Sequence, residues 1–177
     1  MLQTLISSKT RLKLLLKFFL NASTRSWLRN LESEFGESSN AIRLELNKLE
    51  EAGLLLSETE GNKKIYTANT GHPLFSDIHR ILLKHVGIDQ IIERVMEQIG
   101  PLQAAYLSGE LAHGRDSKVI DLLLVGTKLN NQLIMDLMQK SESFIQRKVR
   151  FLVVHPDELH DFVTDENSVL IYSGSGF

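Results

Sequence analysis

The sequence predicts an α+β chain of two domains joined by a linking helix. Three observations predict it. The first seventy residues read as helix, helix, turn, helix and hairpin. A Gly-His-Pro break then opens a further amphipathic helix. The remainder alternates short apolar strands with helices, the pattern of a small α/β sandwich. Boundaries fall at 1–70, 71–87 and 88–177.

The stretch from Ser38 to Tyr66 carries the most information. Ile42, Leu46 and Leu49 recur at i, i+4 and i+7, one apolar stripe of a helix over 38–52. Ser39, Asn40, Arg43 and Asn47 fall on the other side, so hydrogen-bonding groups project outward. Gly53 ends this helix, since a residue without Cβ enters the left-handed region cheaply. Gly61-Asn62 suits a hairpin tip, and Lys63 and Lys64 put positive charge beside it.

Upstream, Leu12, Leu14, Leu15, Leu16, Phe18, Phe19 and Leu20 crowd a first helix. At 100° per residue they cover more of its circumference than one core needs. Leu14 and Phe18 lie off the side formed by Leu12, Leu16 and Phe19. A second subunit covering them is the expectation, hence a homodimer through this helix. A second helix is expected over 24–34, capped by Ser23 or Thr24, with Trp27, Leu28 and Leu31 inward. Together these parts spell a winged helix-turn-helix over 1–70, the arrangement that sets a helix in a major groove and a hairpin on the phosphates.

Downstream, Pro73 suits a helix start, and Leu74, Ile78, Ile81, Leu82 and His85 keep helical spacing to Gly87. An amphipathic helix is expected over 88–99, with Ile88, Ile91, Ile92, Val95, Met96 and Ile99 on one face and Asp89, Glu93 and Glu97 elsewhere. Strands are expected at 104–107, 119–125, 149–154 and 169–172, with helices at 131–146 and 156–162. The apolar run 119–125 reads as a strand buried on both faces. Ser173 to Gly176 reads as a frayed tail.

Composition bounds the function. The 177 residues contain no cysteine, which excludes disulfides and thiolate metal sites. No apolar run approaches the roughly 20 residues of a membrane span, so no membrane partner and a cytoplasmic location are expected. His155, Asp157 and His160 match no recognised metal spacing, and neither a metal nor a cofactor is expected. The net charge of −2 is uneven. Residues 1–70 hold ten Lys/Arg against eight Asp/Glu, and residues 87–177 hold eight against thirteen. A basic half beside an acidic one points to a polyanion at the N-terminal half.

Residues 38–66 resemble the recognition helix and wing of ArsR-type bacterial regulators. The run Tyr66 to Gly87, with His72-Pro73-Leu74-Phe75, resembles the connection to a fused minimal nucleotidyltransferase domain. Ala105-Tyr106-Leu107-Ser108-Gly109-Glu110 and Val119-Ile120-Asp121 stand where that family carries Gly-Ser and Asp-x-Asp. Glu110 replaces the family serine, His113 its arginine and Val119 its first aspartate. The strand 149–154 offers no third carboxylate.

The resemblance implies a DNA-binding regulator whose C-terminal domain is a nucleotidyltransferase-like α/β sandwich without catalysis. That domain would serve assembly, or sense a small-molecule or nucleotide effector. Gly109, Glu110 and Asp121 mark its degenerate nucleotide site. Double-stranded DNA is the expected partner. Asn40, Arg43 and Asn47 are the candidates for base edges, Ser38 and Ser39 for a phosphate at the helix start, and Lys63, Lys64, Arg25 and Arg29 for flanking phosphates. An active nucleotidyltransferase targeted by its winged helix, and an antitoxin-like interaction module, are the alternatives.

Overall fold

The computed structural model describes residues 2–96, 98–164 and 167–174. The chain forms two compact units, Met1–Leu82 and Leu83–Phe177, and mixes helices with two sheets.

In the first unit, α1 (Leu2–Leu5) precedes α2 (Lys9–Leu15), whose N-terminus is capped by the Ser8 hydroxyl accepting from the Arg11 amide at 3.1 Å. The helix runs directly into a π-helical turn, Leu16–Leu20. Leu14, Phe18, Phe19 and Leu20 have no exposed surface. This corrects the expectation that Leu14 and Phe18 await a second subunit. Phe18 falls in the wider π turn, off the 100° step on which that expectation stood, and Leu14, still in α2, is covered within the chain. α2 packs on α4 (Ser39–Glu51), the π turn packs on β2 (Lys63–Ala68), and the Phe19 ring lies 5.6 Å from that of Phe75.

The second helix also departs from expectation. α3 spans Leu28–Phe35, and neither Ser23 nor Thr24 caps it. Residues before it are extended because Ser26 pairs with Tyr66: each amide donates to the other's carbonyl, at 3.2 and 2.8 Å. Strand pairing thus outcompetes the local helix signal. Gly36, left-handed at φ 63°, ends α3. The Ser38 hydroxyl then caps α4 by accepting from the Ala41 amide at 3.3 Å. Ile42, Leu46 and Leu49 are buried, as their spacing predicts. β1 (Leu55–Glu60) pairs antiparallel with β2, from Leu55 opposite Ala68 to Glu60 opposite Lys63, around left-handed Gly61.

α5 (Phe75–Val86) begins two residues after Pro73. Leu82 and Val86 are buried, but Leu74 and Ile81 are about half exposed, so the expected inward stripe is only partly used. In the second unit, α6 (Ile88–Ile91) passes into a π turn at Ile92–Met96, which breaks the single helix expected to 99. Ile88, Ile91, Val95, Met96 and Ile99 are buried; Ile92 is half-buried, and Glu97 lies outside the described residues.

Next come β3 (Leu102–Ser108), the short α7 (Gly109–Ala112), β4 (Val119–Gly126), α8 (Asn131–Ile145) and β5 (Lys148–Val154). A 3₁₀ turn at Pro156–Glu158, α9 (Leu159–Phe162) and β6 (Val169–Ser173) complete the unit. The sheet order is β5-β4-β3-β6. Only β4 and β5 run parallel, as the α8 crossover requires. β4 is buried on both faces through Leu122, Leu123 and Leu124, whereas Leu152 on β5 and Leu170 on β6 stay half exposed. Gly174 donates to the Gln103 carbonyl at 2.7 Å, so the expected fray does not include it; Ser175 and Gly176 lie outside the described residues.

Substituting Leu14→Glu with Phe18→Glu is expected to unfold the first unit, because two charges would enter a closed core. Phe18→Ala alone should cost about 3–5 kcal/mol in urea unfolding. A folded, stable double variant would show that these side chains are coverable by solvent.

Candidate nucleic-acid interface

α3, α4 and the hairpin enclose a groove of about 440 Å³. Its floor is Trp27, Leu28, Leu46 and Tyr66, and its rim is Arg29, Arg43, Asn47, Asn62, Lys63 and Lys64. The Ser26–Tyr66 pairing seats Trp27 next to the hairpin. Lys63 lies over the Trp27 ring, 4.2 Å from its centroid, and Lys64 over Tyr66 at 5.2 Å. The exposed face of α4 carries Asn40, Arg43, Leu44 and Asn47.

Charge pairing sorts the cations of this unit. Arg11 donates from Nε to Glu45 at 2.7 Å, and Lys48 lies 3.7 Å from the same carboxylate. Lys13 pairs with Glu37 at 2.7 Å and Lys17 with Glu34 at 3.0 Å. Arg25 is held by both Glu58 and Glu60 on β1. Lys64 donates to Glu50 at 2.6 Å. Lys9, Arg29, Arg43 and Lys63 have no carboxylate partner among the described residues. Three of these four stand on the groove.

Thus the structure brings Arg29, Arg43, Asn47, Lys63 and Lys64 together. Ser38 and Ser39 sit at the start of α4, where the Ser38 hydroxyl is already engaged as a cap. Asn40 lies on the exposed helix face outside the groove lining, and Arg25 is occupied on the outer edge of β1. Sequence reasoning missed Trp27, assigned to a helix interior, and Asn62, read only as a turn residue. It also passed over Leu44, although the phase set by Ile42, Leu46 and Leu49 already turns it outward.

Two carboxylates are perturbed in this unit. Burial pushes the Glu45 carboxyl up, but hydrogen bonds from Arg11 and Ser8 and the charges of Arg11 and Lys48 outweigh it and leave it below the usual range. The hydrogen bonds from Lys64 and Ser57 hold Glu50 low as well, against a smaller effect of burial, and the Glu50 bond holds the Lys64 ammonium above its ordinary range.

The second unit places Asp121 opposite Ser108 on β3 and Arg150 on β5. Arg150 Nε donates to Asp121 Oδ1 at 2.6 Å. Gly109 is left-handed at φ 64°, and a Cβ there would collide with Asp121 Oδ2. Glu110 is turned to Arg115 at 3.2 Å. Val119 shares the strand face of Asp121, two residues away. These residues do not fit a divalent ion: two carboxylates, Asp121 and Glu110, stand at this edge, and each is already held by a guanidinium. No group of three metal-ligating side chains occurs among the described residues. Among them, too, no helix is long and apolar enough to cross a membrane.

No protein-family model and no curated protein matches the chain. A solved structure described as a possible transcriptional regulator for arsenical resistance is 25% identical, over 54% of this chain and 94% of its own, with a TM-score of 0.33. At that score the likeness carries no structural argument.

The Glu50 contacts make stability depend on pH with a fixed sign. A carboxylate held low in the folded state stabilises above its unfolded value, and that stability is lost as pH falls through the folded value. Glu50→Gln should therefore be less stable than the parent at neutral pH, and the two should converge below the carboxylate range. Parallel unfolding curves at every pH would show that Glu50 carries no such linkage.

Proposed function

We propose that the chain is a regulator that binds double-stranded DNA through α4 and the hairpin. One observation carries this reading: of the four cations in residues 1–70 without a carboxylate partner among the described residues, three line the same groove, beside two asparagines. Surface cations held by acids have little left to offer a polyanion, whereas unpaired ones release counterions on contact with phosphate. Arg29 and Lys63 take backbone phosphates. Asn40, Arg43 and Asn47, on the outer face of α4, address base edges in the major groove. Arg25 and Lys64, tied to their own acids, hold the hairpin in shape.

Arg29→Ala and Lys63→Ala should each weaken every duplex alike and flatten the log–log salt slope by about one unit. Arg43→Ala should relax sequence preference, since a bidentate guanine contact is worth about 1–3 kcal/mol of discrimination. Arg25→Ala should leave the slope unchanged. Fluorescence anisotropy across a salt series checks all four, and a slope as sensitive to Arg25 as to Lys63 would move the interface to the outer edge of β1.

A homodimer belongs to this proposal, with its seat moved off the first helix. Leu74, just before α5, and Ile81, on it, are 52% and 48% exposed and offer an apolar contact. Sedimentation should show a dimer for the parent and a monomer for Ile81→Glu. A parent that sediments as a monomer removes the dimer from the proposal.

The second unit is proposed not to transfer nucleotides. The Arg150–Asp121 and Arg115–Glu110 pairs support this, because they neutralise the carboxylates at that edge. Incubation with labelled nucleoside triphosphates, Mg²⁺ or Mn²⁺ and cell extract should give no incorporation above background. Incorporation that Asp121→Asn abolishes would establish an enzyme instead.

A further inference from the structure

We propose that Leu44 is a specificity-determining residue that reads the 5-methyl group of thymine. The inference rests on the DNA-binding reading above and names what that helix face recognises. Leu44 is 51% exposed and stands apart from the buried stripe of Ile42, Leu46 and Leu49. A lone exposed leucine on a protein surface calls for no explanation. The setting of this one does. On a helix, residues three and four apart are neighbours, so Asn40 at i−4 and Asn47 at i+3 flank Leu44 on the same outward face. Both asparagines are exposed.

The chemistry of an A·T pair matches this order of side chains. In the major groove adenine shows N7 and its N6 amino group, which an asparagine amide can meet with its acceptor and donor together. Thymine shows a methyl group, which only an apolar side chain meets favourably. An amide, a leucine and an amide in sequence along one face therefore address adjacent A·T pairs. Arg43, one residue before Leu44, is left for a neighbouring guanine, while Asn40, Leu44 and Asn47 address A·T pairs; Lys48 lies 3.7 Å from Glu45. The unpaired Arg29, Arg43 and Lys63 beside it supply the positive charge that draws a duplex to this side of α4.

The test uses the full chain and a random duplex library. The duplex that the parent enriches is remade with deoxyuridine in place of thymidine, which removes the methyl and nothing else. The parent should lose about fourfold in affinity for each contacted position, the worth of one buried methyl-sized group. Leu44→Ala should bind the thymine duplex more weakly and treat both duplexes alike. Alanine at an exposed helix position favours the helix, and circular dichroism confirms that the variant is folded. Equal parent affinity for the two duplexes overturns the proposal, as does discrimination retained by Leu44→Ala; either result leaves DNA binding standing. Enrichment of no duplex overturns the DNA-binding reading and this inference with it.

Discussion

Glu50 ties the hairpin to the helix it flanks. Its carboxylate accepts from Ser57 on β1 at 2.5 Å and from Lys64 on β2 at 2.6 Å, while its own backbone belongs to α4. One side chain thus spans both strands and the helix. Asn69 closes the other end of the hairpin, donating from Nδ2 to the Gly53 carbonyl at 2.8 Å. Between these ties the hairpin cannot swing away from α4 without breaking a charge-assisted bond. The groove, its aromatic floor and the alignment of Arg43 with Lys63 all depend on that fixed spacing.

The same pairing logic explains why net charge is a poor guide here. Residues 1–70 are only slightly basic, and most of their cations serve internal acids. Lys17 and Glu34 are each only 12% exposed, so that pair works as part of the packing, not as an attractive surface. Among the described residues, four of the cations in this stretch lack a carboxylate partner, and three of those line one groove. A few free cations on one concave face create a stronger local field than a larger number spread and neutralised.

Much of the fold was legible because its signals are local. The stripe Ile42, Leu46, Leu49, the glycine at 53 and the Gly61-Asn62 tip are short-range patterns, and each element appears where they put it. The misses share a cause, namely that tertiary contacts overrode local preference. The helix start expected at Ser23 or Thr24 was lost because Ser26 pairs with Tyr66, forty residues away. The π turns at Leu16–Leu20 and Ile92–Met96 changed the helical phase, which no 100° projection anticipates. At the candidate site, residue types were readable, but the partners were not. That Lys64 is bound to Glu50 and Lys63 is not follows from the alternation of side chains along β2, which turns Lys64 toward α4.

The second unit shows a related substitution of partners, with Arg150 reaching Asp121 across a parallel strand pair. The unequal division of charge between the two units makes one measurement decisive. Amide chemical shifts of the full chain should be followed during titration with a random-sequence duplex at low salt. Shifts clustered at 27–29, 40–47 and 61–66, with residues 102–173 unmoved, are the expected result. Shifts centred on the β5-β4-β3-β6 sheet, or none at any residue, would contradict DNA binding by the groove.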